Sequence, residues 1–301
     1  MPERSGSDTL QDDALDATFL KRMARVSLTQ RGRVLSYFGG RHRAFGVGQG
    51  VEFADHRPYQ RGDDLRHVDW KAYGRSGRML LRKYEPQGRA DIAILIDCSA
   101  SMGLHHGNKF TMAKRLAALL THGALLQGDQ VTLWELHEGQ LHGSRVFQNP
   151  YEQNDAFNFL RGLRAEGKTN LPGAALAFAR QYHKRAIAVL ISDLVDARCT
   201  TAIEQLQATC QQCHVLHLCA PEEAHGVDTG AVELIDSESG VRLRALITDQ
   251  VLARYRSEYE ANLQHIARHV RKRGVPYARL STADTIERAV VAMRRAHVVA
   301  A

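Results

Sequence analysis

Five residues of this sequence carry oxygen atoms at positions from which they could bind one divalent cation together. They are Asp97, Ser99, Ser101, Thr169 and Asp193. Asp97 ends the apolar run 91–97, and Asp193 directly follows the apolar run 186–192. Runs this short, bounded by polar residues, are typical of strands buried on both faces of a parallel sheet. Ser99 and Ser101 follow the first run, and Thr169 lies in a Gly-flanked loop before a predicted helix.

The chemistry of this set favours a hard metal ion. Loops at the carboxyl ends of parallel strands open on one edge of a doubly wound sheet, so we expect the five side chains to lie close together. Two carboxylates and three hydroxyls suit Mg²⁺ or Mn²⁺ and suit Zn²⁺ poorly. Each residue taken alone is better explained as a helix cap at a strand end. The complete set favours a metal site that accepts one more anionic ligand.

Strands and helices alternate around these residues, which predicts an α/β fold with a doubly wound, mostly parallel sheet. The expected strands are 91–97, 130–136, 144–147, 186–192, 214–218 and 275–280. The expected helices are 108–127, 156–163, 172–182, 200–211, one capped by Thr248 and one that begins at Asp284. A β-hairpin is expected where 232–236 and 241–246 flank the turn sequence Ser237-Glu-Ser-Gly240.

The composition divides the chain into three parts. Residues 1–17 are polar and acidic, which predicts a disordered tail. Residues 18–89 are an irregular, β-containing extension with helical periodicity at 19–38 and a strand pattern at 79–85. Residues 90–298 hold the α/β domain, including the hairpin insertion 221–247.

A basic segment lies between Arg57 and Arg89, where nine Lys and Arg residues stand against four Asp and Glu residues. Such a surplus is found in surfaces that bind nucleic acid. The alternative is a network of arginine–carboxylate pairs that holds an irregular segment together. The alternation of arginines with Asp63, Asp64 and Asp69 favours the network and weighs against a nucleic-acid partner.

The totals describe an ordinary globular protein. Hydrophobic residues make up 44% of the 301 residues and charged residues 24%, with a formal net charge of +7. Five cysteines, an odd number, argue against a disulfide framework. The amino-terminal residues show no apolar signal-peptide core, and no run approaches the roughly 18 apolar residues of a membrane helix. We therefore expect a soluble cytoplasmic protein without a membrane partner.

The five residues in their order, Asp97-x-Ser99-x-Ser101, then Thr169 and Asp193, closely resemble the metal-ion-dependent adhesion site of von Willebrand factor A domains. The resemblance covers roughly residues 90–220. It implies a Rossmann-like fold in which the two serines and the threonine loop hold Mg²⁺ or Mn²⁺. It also implies a function in recognition, because in that family a Glu or Asp of a protein partner completes the coordination of the ion.

A second resemblance rests on the motif Arg57-Pro-Tyr59-x-x-Gly62-Asp63-Asp64-x-Arg66-x-x-Asp69-Trp70, followed by Arg75. It is similar to the signature of a bacterial family known only as domain of unknown function 58. Members combine this segment with a von Willebrand A-like domain and often neighbour MoxR-type AAA+ ATPases, which implies such an ATPase as a partner. Many members carry two amino-terminal membrane helices that this sequence lacks, which favours a soluble adaptor or co-chaperone.

A metal-dependent phosphohydrolase is the main alternative. An aspartate after a buried strand is also the nucleophile position of haloacid-dehalogenase-type enzymes. Those enzymes need a second aspartate two residues later as general acid, and this sequence has Ser99 there. We therefore expect a binding module and no enzymatic activity.

Overall fold

The computed structural model describes residues 15–16, 18–22, 52–59, 68–85, 90–182 and 186–299. They fall into two compact units, one with the described residues between 52 and 90 and one with the rest. Residues 18–22 are helical. The remainder of the predicted helical segment 19–38 and most of the predicted tail 1–17 lie outside the described residues. Much of the basic segment 57–89, namely 60–67 and 86–89, also lies outside them.

The smaller unit contains an antiparallel pair of strands, β1 (Glu52–Pro58) and β2 (Leu80–Glu85), and helix α1 (Trp70–Ser76). Asp69 begins α1 because its carboxylate accepts hydrogen bonds from the N–H groups of Lys71 and Ala72, both at 3.0 Å. Gly77 ends the helix with a left-handed φ of 64°. The strand predicted at 79–85 is thereby confirmed as β2.

A six-stranded sheet forms the centre of the larger unit. Its strands, in chain order, are β3 (Asp91–Asp97), β4 (Gln130–His137), β5 (Gln140–Gly143), β6 (Ile187–Ser192), β7 (Gln212–Cys219) and β10 (Tyr277–Ser281). Their order across the sheet is β10-β7-β6-β3-β4-β5, and every neighbouring pair is parallel except β4 with β5. The predicted α/β fold with a mostly parallel sheet is therefore confirmed.

Helices and a hairpin complete the larger unit. The helices are α2 (Leu104–Gln127), α3 (Gln153–Gly162), α4 (Leu171–Gln181), α5 (Cys199–Thr209), α6 (Pro221–His225), α7 (Asp249–Lys272) and α8 (Ile286–Arg295). The predicted hairpin is present as β8 (Gly230–Ile235) and β9 (Arg242–Ile247), which form a separate two-stranded sheet. Thr248 caps α7, as predicted, by accepting a hydrogen bond from the N–H of Val251 at 3.3 Å. Among the described helices, none has the length and apolar character needed to cross a membrane.

The sheet is covered on both faces, as its continuous apolar strands require. One core cluster takes Ala93 and Leu95 from β3 and packs them with residues of α4, α5 and α7, including Phe178 and Ile203. Side chains alternate along a strand, so Ile94 and its alternate neighbours face the opposite side. Helix α2 contacts β3, β4, β6 and β7 and contributes no residue to that cluster, which places it on the opposite side.

One predicted strand is wrong in position. The strand expected at 144–147 is replaced by β5, which begins only three residues after β4 ends. Glu138 and Gly139 both adopt positive φ angles, 49° and 79°, and so make a tight turn that starts the return strand at once. Phe147 keeps only an isolated bridge to Val131.

Candidate metal-binding site

Asp97 lies at the carboxyl end of the central strand β3 and is 2% exposed. One of its oxygens accepts a hydrogen bond from the N–H of Ser99 at 3.0 Å. The other accepts a bond from the hydroxyl of Ser192, at the end of β6, at 2.6 Å. Both neighbours orient the carboxylate, and Ser192 links it to the strand that carries Asp193.

Ser99 and Ser101 lie directly beyond β3 and are both buried, with their hydroxyl oxygens 3.0 Å apart. Their loop is tied to the loop that carries Thr169 by two backbone hydrogen bonds. The N–H of Ala100 donates to the carbonyl of Gly167 at 3.0 Å, and the N–H of Glu166 donates to the carbonyl of Cys98 at 2.9 Å. The tertiary structure therefore brings together two loops that are distant in sequence.

Thr169 immediately precedes α4, and the start of that helix is held at two points. The side chain of Asn170 accepts a hydrogen bond from the N–H of Gly173 at 3.1 Å. Asp196, from the loop after β6, accepts a bond from the N–H of Leu171 at 3.0 Å. Because both bonds hold the residues directly after Thr169, they also hold its position at the sheet edge.

Thr169 contacts a carboxylate that was not among the predicted site residues. The backbone N–H of Thr169 donates to one oxygen of Glu238 at 3.1 Å, and the hydroxyl of Thr169 is hydrogen-bonded to the other oxygen. Glu238 belongs to the turn between β8 and β9. It lies 69 positions from Thr169, so no local pattern points to this contact.

Asp193 is 4% exposed and accepts a hydrogen bond at 2.6 Å from the ammonium group of Lys109, a fully buried residue of α2. The same ammonium group is paired with Glu223 in α6. The next residue, Leu194, has a left-handed φ of 54°, held by a 2.9 Å hydrogen bond from its N–H to the hydroxyl of Ser192. Lys109 and Glu223 were not among the predicted site residues. The one local signal for them is a lysine on the apolar side of a helix.

The charges of the site are unbalanced. Burial, followed by the repulsion from Asp193, raises the pKa of Asp97 to about 6, although its hydrogen bonds from Ser192 and Ser99 oppose the change. Burial lowers the pKa of Lys109, but Asp193 and Glu223 outweigh it, so this pKa lies above its ordinary value. When all are ionised, Asp97, Asp193, Glu223 and Glu238 place four carboxylates around the single ammonium group of Lys109, a surplus of three negative charges. A dication would neutralise most of that surplus.

A cavity of about 590 Å³ opens onto these groups. Ser101, Thr169, Asp193 and Glu238 line it, together with Lys109. Asp97 and Ser99 are buried and do not line it. Of the five predicted residues, three thus face the cavity and two support them from the interior.

The donor set fits a hard dication and no soft one. No group of three His, Cys, Asp or Glu side chains arranged as metal ligands occurs in the described part of the chain, so an ion here must use hydroxyl oxygens. Cys98 is fully buried, and burial raises the pKa of its thiol well above the usual range, so no thiolate is available. Burial lowers the pKa of His217, in the wall of the cavity, to about 4.

A family model described as protein of unknown function DUF58 matches residues 55–268. Uncharacterized proteins of Mycobacterium bovis and Mycobacterium tuberculosis are each 26% identical over 287 residues, which cover 91% of this chain and 88% of theirs.

Solved structures resemble the chain distantly. BatB from Bacteroides thetaiotaomicron is 14% identical, with a TM-score of 0.41 over 69% of this chain and 98% of that one. An aerotolerance-related membrane protein from Bacteroides fragilis is 17% identical, with a TM-score of 0.40 over the same shares of the two chains.

Proposed function

We propose that this chain, which belongs to the family of proteins of unknown function DUF58, is a non-enzymatic module. It would bind a protein partner through a divalent cation. The observation that carries the proposal is the convergence of all five predicted oxygen-bearing residues at one edge of the sheet. Asp97 and Ser99 lie in the interior, and Ser101, Thr169 and Asp193 face the cavity.

Each residue has a separate part in the proposed site. The hydroxyls of Ser99, Ser101 and Thr169 would hold Mg²⁺ or Mn²⁺, and Asp97 and Asp193 would balance its charge. When bound, the ion supplies an electrophilic position that a Glu or Asp of the partner can fill. Lys109 holds Asp193 at 2.6 Å and thereby limits the negative charge that the buried site carries without the ion.

The partner that we propose is a MoxR-type AAA+ ATPase, for which this chain would serve as a cytoplasmic adaptor or co-chaperone. The support for this class of partner is the resemblance of the Arg57–Trp70 motif to the family signature. The cavity supports the general idea of a carboxylate partner, because it is lined by hydroxyls and opens to solvent beside the two buried aspartates.

Metal binding and partner binding are tested separately. Calorimetric titration of the metal-free protein with Mg²⁺ and Mn²⁺ should show one site that is lost in Asp97→Ala and Ser99→Ala. The exposed Ser257→Ala on α7 is the matched control and should bind as the wild type does. A pull-down with a MoxR-type ATPase should need Mg²⁺ and fail in EDTA. If metal binding is unchanged in both variants and partner binding is unchanged in EDTA, the proposal is wrong.

The phosphohydrolase alternative keeps its own test. The hydroxyl of Ser99, which stands where such an enzyme needs its acid, lies 3.0 Å from the hydroxyl of Ser101. A serine is a poor general acid near neutral pH. Magnesium-dependent release of phosphate from a phosphomonoester by the purified protein, lost in Asp97→Asn, would establish the enzyme instead.

A further inference from the structure

We infer that Glu238 is an internal ligand of this site, and that the hairpin β8–β9 presents it as a competitor of the partner's carboxylate. The inference rests on the proposed function and concerns how the same site is regulated. Both oxygens of Glu238 contact Thr169, one through its N–H at 3.1 Å and one through its hydroxyl. Glu238 also lines the cavity that Ser101 and Asp193 face. A carboxylate of this chain therefore lies where a partner's carboxylate is expected.

The charge around Glu238 supports a role as ligand. Glu233, on the strand that leads to the turn, has ordinary surface partners: Arg242 at 3.2 Å and Arg244 at 3.6 Å. Glu238 is partly buried and has no ion-pair partner in the described part of the larger unit. It faces a cavity whose wall also carries Asp193 and Glu223, which share the single ammonium group of Lys109. A carboxylate directed towards other carboxylates is favoured when a cation lies between them.

The turn is built to hold Glu238 in place. The carboxylate of Asp236 accepts hydrogen bonds from the N–H of Glu238 at 3.0 Å and from the N–H of Ser239 at 2.6 Å. The hydroxyl of Ser239 donates to the same oxygen at 2.7 Å, and these bonds lower the pKa of Asp236. Gly240 closes the turn with a left-handed φ of 69°. A tip organised in this way loses little conformational entropy when its carboxylate binds.

The hairpin could move without breaking a hydrogen bond of the six-stranded sheet. It is a two-stranded sheet of its own, hydrogen-bonded to no strand of the six-stranded sheet. Leu243 and Leu246 on β9 are 60% and 68% exposed, so much of its surface is not packed. An internal ligand of this kind acts at an effective concentration of the order of millimolar. It should lower the apparent affinity of the site for an external carboxylate about tenfold.

Water-proton relaxation of the Mn²⁺-loaded protein tests the inference. In Glu238→Ala the position left by the carboxylate should pass to water, so the relaxivity should rise and Mn²⁺ affinity should fall about tenfold. Acetate should then displace that water at a concentration at least about fivefold lower than in the wild type. Glu233→Ala removes only exposed surface pairs of the same hairpin and is the matched control.

The outcomes separate the two proposals. If the wild type binds Mn²⁺ and Glu238→Ala matches it in relaxivity and in acetate response, the internal ligand is overturned and the metal-dependent module stands. If the wild type binds no Mn²⁺, both fall. A circular-dichroism spectrum equal to that of the wild type shows that Glu238→Ala is folded, and Glu238→Gln, which keeps the side-chain volume, should show the same direction of change.

Discussion

At the scale of single residues, Asp97 and Asp193 act on each other from the ends of neighbouring strands. Both are nearly inaccessible to solvent, and the hydroxyl of Ser192, the residue before Asp193, is hydrogen-bonded to Asp97. Burial, and after it the repulsion between the carboxylates of Asp97 and Asp193, explain why the pKa of Asp97 rises to about 6. The site therefore carries an electrostatic penalty that depends on pH.

Asp97→Asn should stabilise the protein in EDTA. The folded-state pKa of about 6 lies above the ordinary value of 3.8, so ionisation opposes folding as pH rises between them. We expect no gain near pH 4 and a gain of about 1–3 kcal/mol in the free energy of unfolding at pH 7.5. Urea denaturation at both pH values measures it. The exposed Asp228→Asn should leave stability unchanged at both pH values. An equal gain in Asp97→Asn at the two pH values would contradict the prediction.

Lys109→Met should have the opposite effect. Lys109 is paired with Asp193 and Glu223, and its loss leaves two carboxylates in the interior without their counter-charge. Such a loss lowers the free energy of unfolding by about 3–5 kcal/mol. Chemical denaturation at pH 7.5 without metal tests this, with the exposed Lys272→Met as the matched control. A loss below about 1 kcal/mol would show that the pair contributes little.

At the scale of elements, the start of α4 holds the Thr169 loop. Asn170 caps the helix by bonding the N–H of Gly173, and Asp196 bonds the N–H of Leu171. The two hydrogen bonds have different roles. The cap is local and belongs to the helix, whereas Asp196 joins the helix to the loop after β6.

Asn170→Ala should lower the free energy of unfolding by about 1 kcal/mol, because one N–H at the helix start loses its acceptor. Mg²⁺ affinity should fall as well, since Thr169 directly precedes the cap. Thermal denaturation and calorimetric titration check the two effects. Asn154→Ala, an exposed change inside α3, should leave Mg²⁺ affinity unaltered.

The strands and helices could be predicted from the sequence, whereas the long-range contacts between their side chains could not. The apolar runs 91–97 and 186–192 identified β3 and β6 because continuous burial leaves a continuous apolar pattern. Thr248 marked the start of α7 for an equally local reason. The pairs Lys109–Glu223 and Thr169–Glu238 span 114 and 69 positions, and no local propensity encodes them. The five oxygen-bearing residues of the site could therefore be predicted from the sequence, and the residues that contact them, Lys109, Glu223 and Glu238, could not.

At the scale of the whole molecule, buried histidines set the response to acid. His214 and His217 lie on β7, and burial lowers the pKa of each to about 4. In the unfolded chain their pKa is about 6.5, so the unfolded state binds more protons between these values. Their contribution to stability is complete above about pH 6.5 and is lost as pH falls towards 4.

Between pH 7 and pH 5 the free energy of unfolding should fall by about 2 kcal/mol for each histidine. Asp97 opposes part of this loss, because its pKa shift has the other sign. In His214→Gln the fall should be smaller by about 2 kcal/mol. Urea denaturation in EDTA at the two pH values gives the comparison, and the exposed His265→Gln should follow the wild type. An unchanged slope in His214→Gln would refute the assignment.

The hydrogen bond between Ser192 and Asp97 joins residues 95 positions apart, across the boundary between β6 and β3. Bringing together the ends of a segment that long costs conformational entropy before the contact forms, so the complete site exists only in a chain whose central sheet is assembled. We therefore expect a divalent cation to slow unfolding and to leave the folding rate nearly unchanged.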